Sequence, residues 1–252
     1  MSDLSASAPG DSVDVAPAPV KPASRWEDFI DIFYAPTSVY ERRAHSGFGI
    51  PMLVVTVLIG VIFLANSGVM QPIMDAEFSR NMALQMKKNP QLTPEMMEKG
   101  RAIGEMFARI GAFVFIPIAM FLTGLALWIV GKFFGAKESL AAAIMVVAYA
   151  YVPRILENLL NGVQGLLMDP ASLDGRYRLS LGAGRFLDPA TASPMLLALL
   201  GRVDVFTIWV TVLLAIGLAV TGKIPRSKAA LAALIVWILG ALPGVLGAAQ
   251  QG

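Results

Sequence analysis

Five runs of about twenty apolar residues, roughly 48–68, 107–130, 140–162, 203–221 and 229–249, divide this chain. Each is close to the ~20 residues that a helix needs to cross ~30 Å of hydrocarbon. Two short basic turns and two long polar loops separate them. The pattern predicts an all-α polytopic membrane protein, a five-helix transmembrane bundle with interfacial amphipathic helices. A composition of 56% hydrophobic and 15% charged residues over 252 positions is too apolar for an ordinary water-soluble domain of this size.

The same composition excludes several chemistries. No cysteine is present, which removes disulfides, thiolate metal sites and cysteine nucleophiles. The single histidine, His45, lies in a basic juxtamembrane stretch and cannot supply a multi-histidine metal site. Methionines cluster between Met70 and Met106, where packing or lipid contact is the favoured role over soft-metal binding. There is no HExxH, no GxSxG and no pair of aspartates within the spans, and Gly182-Ala183-Gly184 lacks the strand and helix of a phosphate loop. The reading is therefore a non-enzyme with no cofactor, no metal and no nucleotide. A net charge of +2 suits anionic lipid better than nucleic acid, which demands a denser basic patch.

Residues 1–24 are rich in Ser, Ala and Pro and read as a disordered cytoplasmic tail without a signal-peptide pattern. Residues 25–252 then form one membrane domain. Trp26, Phe29, Ile30, Phe33 and Tyr34 share a helical face ahead of Pro36. That face suits either the headgroup layer, with Arg42 and Arg43 beside it, or packing on the bundle. Met74, Phe78, Met82 and Met86 recur every four residues on a predicted amphipathic helix that ends at Asn89-Pro90. Thr93-Pro94-Glu95 is a helix start, and no stop follows before Gly131, giving a helix of ~60 Å with Pro117 as a candidate kink. Asp169-Pro170 and Asp188-Pro189 are further helix starts, residues 176–181 alternate as a weak strand, and 195–200 is apolar but too short to cross.

Lys132, Lys137, Lys223, Arg226 and Lys228 crowd the two short turns, which predicts that these turns are cytoplasmic. The N-terminus is then inside and the C-terminus outside. Glycines 240, 244 and 247, around Pro243, are candidates for close helix packing.

Two blocks carry a family resemblance. GKFFGAKESLAAAIMVVAYAYVP, with Tyr149 four residues before Pro153, resembles the start of the third span in the Yip family, the Ypt/Rab-interacting five-pass membrane proteins. LLGRVDVFTIWVTVLLAIGLAVTGKIPRSKAAL resembles that family's fourth span and turn: Asp204, Phe206 and Trp209 in a D-x-F-x-x-W arrangement, then Gly217 and Lys228-Ala229. Departures are the long, methionine-striped first loop and the irregular 166–200 segment. Eukaryotic relatives are tied to GTPases and vesicle traffic, but the acidic Pro-Ala tail has no motif matching their cytoplasmic regions. High alanine content and absent cysteine fit a prokaryotic-type member in a bacterial inner membrane.

Arg154, Glu157, Asn158 and Asn161 fall within about a 100° arc of the third span, a polar stripe inside an apolar helix. A charge near mid-bilayer costs roughly 2.5–3.5 kcal/mol on insertion scales, so Arg154 and Glu157 are expected to pair. Asp204 opens the fourth span on the same side; capping is its favoured role, and an intramembrane Arg154–Asp204–Glu157 cluster is the sharper expectation. Tyr149 and Pro153 are expected to shape a bend and Trp209 to pack. The resemblance implies a non-catalytic membrane scaffold or membrane-organising protein that engages lipids and other membrane proteins or copies of itself. The alternative from the stripe is a small-solute transporter or channel subunit.

Overall fold

A computed structural model describes residues 24–89 and 91–249. Apart from Ser24, the tail expected over residues 1–24 lies outside these residues. Eleven α-helices are present among them: α1 (Asp28–Asp31), α2 (Pro36–Arg43), α3 (Gly49–Ala65), α4 (Ser67–Lys88), α5 (Pro94–Phe133), α6 (Leu140–Ala150), α7 (Val152–Leu167), α8 (Pro194–Leu200), α9 (Val205–Gly222), α10 (Arg226–Leu239) and α11 (Leu242–Ala249). Short 3-10 turns lie at Pro170–Ser172 and Ala183–Phe186.

Four stretches are long and apolar enough to cross a membrane: Ile110–Phe133, Leu140–Leu167, Val205–Gly222 and Arg226–Ala249. A fifth counts if α3 and α4 are taken as one span bent by 75°. α3 alone is 17 residues, ~25 Å of helix. The all-α polytopic bundle expected from hydropathy is what the chain forms.

α6 is the hub. Ser139 caps it by accepting from the Ala142 amide at 3.2 Å, and every residue from Ala142 to Ala150 is buried. A helix apolar on all sides belongs inside a bundle, and α3, α5 and α9 surround this one. Glycines permit the closest approaches: a Cβ on Gly124 of α5 would lie 2.9 Å from the Ile144 Cα, and one on Gly217 of α9 would strike the Val146 side chain. At Tyr151 the ladder breaks, because Pro153 in the first turn of α7 has no amide to donate. The two halves still continue as one 28-residue span.

Thr93 caps α5, accepting from Met96 N at 3.3 Å, and the 40-residue helix runs through Pro117 uninterrupted. Its first half projects beyond the span, where α4 lies beside it and Arg101 pairs with Asp75 and Glu105. Met74, Phe78, Met96 and Met97 line a cavity of about 430 Å³ between the two helices.

Two expectations need correction, and one that was left open is decided. The 176–181 alternation forms turns, not a strand; one antiparallel bridge, Gly182 with Asp204, ties this loop to α9. Arg176 and Arg178 are drawn into ion pairs with Glu77 and Asp174, and those pairs set the local path. At Gly244 and Gly247 an added Cβ would meet nothing within 4 Å, so neither brings helices of this chain close together. The N-terminal aromatic segment forms two short helices, α1 and α2, packed on the bundle, with Ile32, Val39 and Tyr40 fully buried.

The depth of that packing follows from helix rise. Tyr40 meets Val146 and Gly217, ~9 Å and ~8 Å from the ends of α6 and α9 at the basic turns. Phe29 meets Tyr149, ~13 Å in, and Phe33 meets Trp209, ~20 Å in. The segment therefore dips into the thickness of the bundle and returns to start α3, with Trp26, Ile30 and Tyr34 exposed on its outer face.

Candidate functional site

The polar stripe of the third span closes on itself and on its neighbours. Arg154 Nη1 donates to Glu157 Oε2 at 2.6 Å, and Nη2 donates to Thr207 Oγ1 of α9 at 2.9 Å. Asn158 returns its amide to the Arg154 carbonyl at 2.8 Å, while Asn66, between α3 and α4, donates to the Asn158 carbonyl at 2.9 Å. Asn66 fits there because residue 162 is glycine; a Cβ would overlap its side chain. The stripe thus joins the third span to the first and the fourth. Asn161 makes no side-chain hydrogen bond among the described residues.

Asp204 takes the capping role. Its Oδ1 accepts from the amides of Phe206 at 2.9 Å and Thr207 at 3.3 Å, as an acidic N-cap does for the orphan donors of a helix start. No ion pair joins Asp204 to Arg154 among the described residues. The trio expected from the sequence is therefore linked through Thr207, whose amide is held by Asp204 and whose hydroxyl receives Arg154. Thr207 escaped sequence reasoning, although its place three residues after a capping aspartate was a usable signal. Asp204 Oδ2 is buried without a partner among the described residues. Nearby, Arg202 donates to the Trp237 carbonyl at 3.0 Å and lies 5.7 Å from the Trp237 ring centroid, fastening the loop to α10.

A second cluster, absent from the sequence reading, sits where α1 meets α6. Asp28 is fully buried and accepts from Arg42 at 2.7 Å, Arg43 at 2.5 Å and the Tyr149 hydroxyl at 3.3 Å. Arg42 also reaches Asp31 at 2.6 Å. Hydrogen bonds from Tyr34 and Arg42 hold the Asp31 carboxyl below the usual aspartate range. Arg42 and Arg43, which follow the aromatic face in sequence, thus bind these carboxylates.

Of the remaining resemblance residues, Phe206, Trp209 and Gly217 are packing elements. Phe206 and Trp209 are nearly parallel with centroids 6.3 Å apart, and Phe33 meets Trp209 edge-on at 5.4 Å. Gly217 accommodates Tyr40. Lys228 is exposed at the second basic turn, as is Lys223, held in the left-handed region at φ 53°. In the first turn Lys132 donates to the carbonyls of Ala136 and Glu138 at 3.0 and 2.6 Å. The Glu138 carboxylate is buried between Gly131 and Gly222 with no hydrogen-bond partner among the described residues, and burial pushes its pKa up.

Chemically, these clusters bind helices to one another. No group of three or more His, Cys, Asp or Glu side chains positioned to hold a metal ion occurs among the described residues. Arg154, Glu157, Asn158, Asn161 and Asp204 line neither the cavity between α4 and α5 nor a second one beside α8 and α11. In comparison with known proteins, the family model of the Yip1 domain matches residues 30–247, nearly the whole chain. No curated protein and no solved structure matches.

Proposed function

This chain belongs to the Yip family of membrane proteins, and from that premise we propose that it is a non-catalytic scaffold or membrane-organising protein engaging lipids and other membrane proteins. One contrast carries the reading. The charges inside the bundle are directed at internal partners, whereas the apolar perimeter is open: only 22% of the membrane stretch of α5, and of α10 with α11, is buried within the chain. Val114, Phe115, Ile118, Phe121 and Leu122 line that open face of α5. Such faces are solvated by lipid or covered by helices of other proteins, where association relies on packing and hydrogen bonds.

The orientation belongs to the same proposal. Lys137, Lys223, Arg226 and Lys228 are exposed at the basic-turn end, which supports a cytoplasmic face there and an external face at the loop end. A bacterial inner membrane is the setting proposed. Co-purification in mild detergent with mass spectrometry of bound proteins and lipids tests the scaffold role. A stoichiometric protein partner or a tightly retained lipid is the expected result. Recovery of neither, together with solute-dependent protection at Arg154 and Glu157, would refute it in favour of transport.

A further inference from the structure

A cavity of about 290 Å³ opens where α4, the 175–194 loop, α8 and α11 meet. One wall is polar, carrying Arg80, Arg176 and Arg178 against a single carboxylate, Glu77. The other is apolar, carrying Leu197, Ala198, Pro243 and Ala248. Its depth is informative. Pro243 and Ala248 lie ~26 and ~33 Å along the span from Arg226, so the cavity straddles the edge of a ~30 Å hydrocarbon layer.

The polar wall is built and braced. Glu77 accepts from Arg80 and Arg176, both at 2.7 Å. Arg80 also donates to the Asp174 carbonyl at 2.6 Å, and Asp174 holds Arg178 through both carboxylate oxygens at 2.5 and 3.1 Å. The hydrogen bond from Arg178 holds the Asp174 carboxyl below the usual range, so it stays charged and keeps Arg178 in place. A guanidinium has five N–H donors. These bonds engage one side-chain donor of Arg176 and two of Arg80, and the Arg176 side chain is 59% exposed. Planar donor forks in excess over carboxylate match the oxygens of a phosphate group.

We propose that this cavity binds the phosphate group of an anionic phospholipid, the headgroup on Arg80 and Arg176 and the acyl chains against α8 and α11. The proposal rests on the membrane reading and not on the scaffold role, so a protein partner's absence leaves it standing. The test uses the full chain in nanodiscs or detergent, with phosphatidylglycerol and phosphatidylcholine as probes and native mass spectrometry as the readout.

Wild type is expected to retain phosphatidylglycerol at least tenfold better than phosphatidylcholine. Arg80→Gln/Arg176→Gln is expected to lose that preference. Glu77→Gln, which removes the carboxylate competing for both arginines, is expected to bind phosphatidylglycerol at least threefold more tightly, an opposite sign that damage to the fold does not produce. Inorganic phosphate and glycerophosphate separate the sources: failure of either to compete at millimolar concentration supports lipid, and full competition overturns the lipid assignment in favour of a soluble phosphate. Equal retention of both lipids, or indifference to all three substitutions, overturns the site.

Discussion

Asp28→Ala should release the α1–α2 segment. Asp28 is fully buried and bonded to two guanidiniums and a phenol, so removing it strands charge that the bundle cannot solvate. Breaking a buried ion pair by deleting one partner costs about 3–5 kcal/mol. Here Arg42 and Arg43 keep 31% and 15% side-chain exposure and Arg42 retains Asp31, which lowers the expectation to about 2–3 kcal/mol. Because the spans keep their contacts with one another and only the Tyr149 hydroxyl loses a partner, the effect should appear as local opening of this segment. At tenfold per 1.4 kcal/mol, the open population rises about 30- to 150-fold.

The absence of native cysteine makes this measurable. Val39→Cys places a lone thiol at a position with no exposure, and maleimide labelling in detergent reports each opening. The Asp28→Ala/Val39→Cys protein should label about 30 to 150 times faster than Val39→Cys alone. Asp28→Asn, which keeps an acceptor for Tyr149 but loses the charge, should fall between. Labelling rates within twofold of each other would refute the argument that this ion cluster holds the segment down.

Other perturbations follow from the same geometry. Arg154→Leu should lower stability by about 2–4 kcal/mol by leaving Glu157 without its cation, and Arg154→Leu/Glu157→Leu should restore most of it; thermal unfolding in one detergent checks this, and a double variant no better than the single would count against it. Gly217→Ala should destabilise by about 1–3 kcal/mol, since the new methyl meets Val146 and Tyr40, whereas Gly104→Ala in α5, with nothing within 4 Å, should gain about 0.5–1 kcal/mol. Glu138 has a raised folded pKa, so its contribution to stability is full below the ordinary glutamate value and is lost as pH rises through the folded value. Glu138→Met should therefore raise the melting temperature at pH 7–8, by on the order of 1–3 kcal/mol of stability, with the gain vanishing near pH 4; a pH-independent difference would contradict it.

What the sequence disclosed was local, and what it hid was not. The apolar helices, the Thr93-Pro94 start and the Asp204 cap depend on a few adjacent residues; the two starts appear where capping rules put them, and the all-α character follows the hydropathy. The Arg154–Glu157 pair is three residues apart on one helix and was equally legible. Asp28 was not, because its partners lie 14, 15 and 121 positions away and no periodicity links them. The alternation over 176–181 misled because a strand needs an edge to pair with, whereas this loop has three arginine–carboxylate contacts to satisfy first. The bend at Asn66 depends on Gly162, almost a hundred residues on, having room for an amide.

The order of synthesis bears on the same long separations. Residues 28–43 leave the ribosome before any of the spans, yet their contacts are with Val146, Tyr149, Trp209 and Gly217. Until α9 exists, the segment has nowhere to bury Val39 and Tyr40, and Asp28 has its arginines but no enclosing wall. A charged, uncovered segment does not enter hydrocarbon at a cost of roughly 2.5–3.5 kcal/mol per charge, so it waits at the interface. Docking is thus expected late, after the fourth span is inserted. In ribosome-arrested chains of increasing length, the Val39→Cys thiol should stay reactive until Gly217 has cleared the exit tunnel and then become protected. Protection in chains that end before α6 would mean that α3 to α5 suffice, and the packing of Tyr40 on Gly217 would then be a consequence of docking and not its cause.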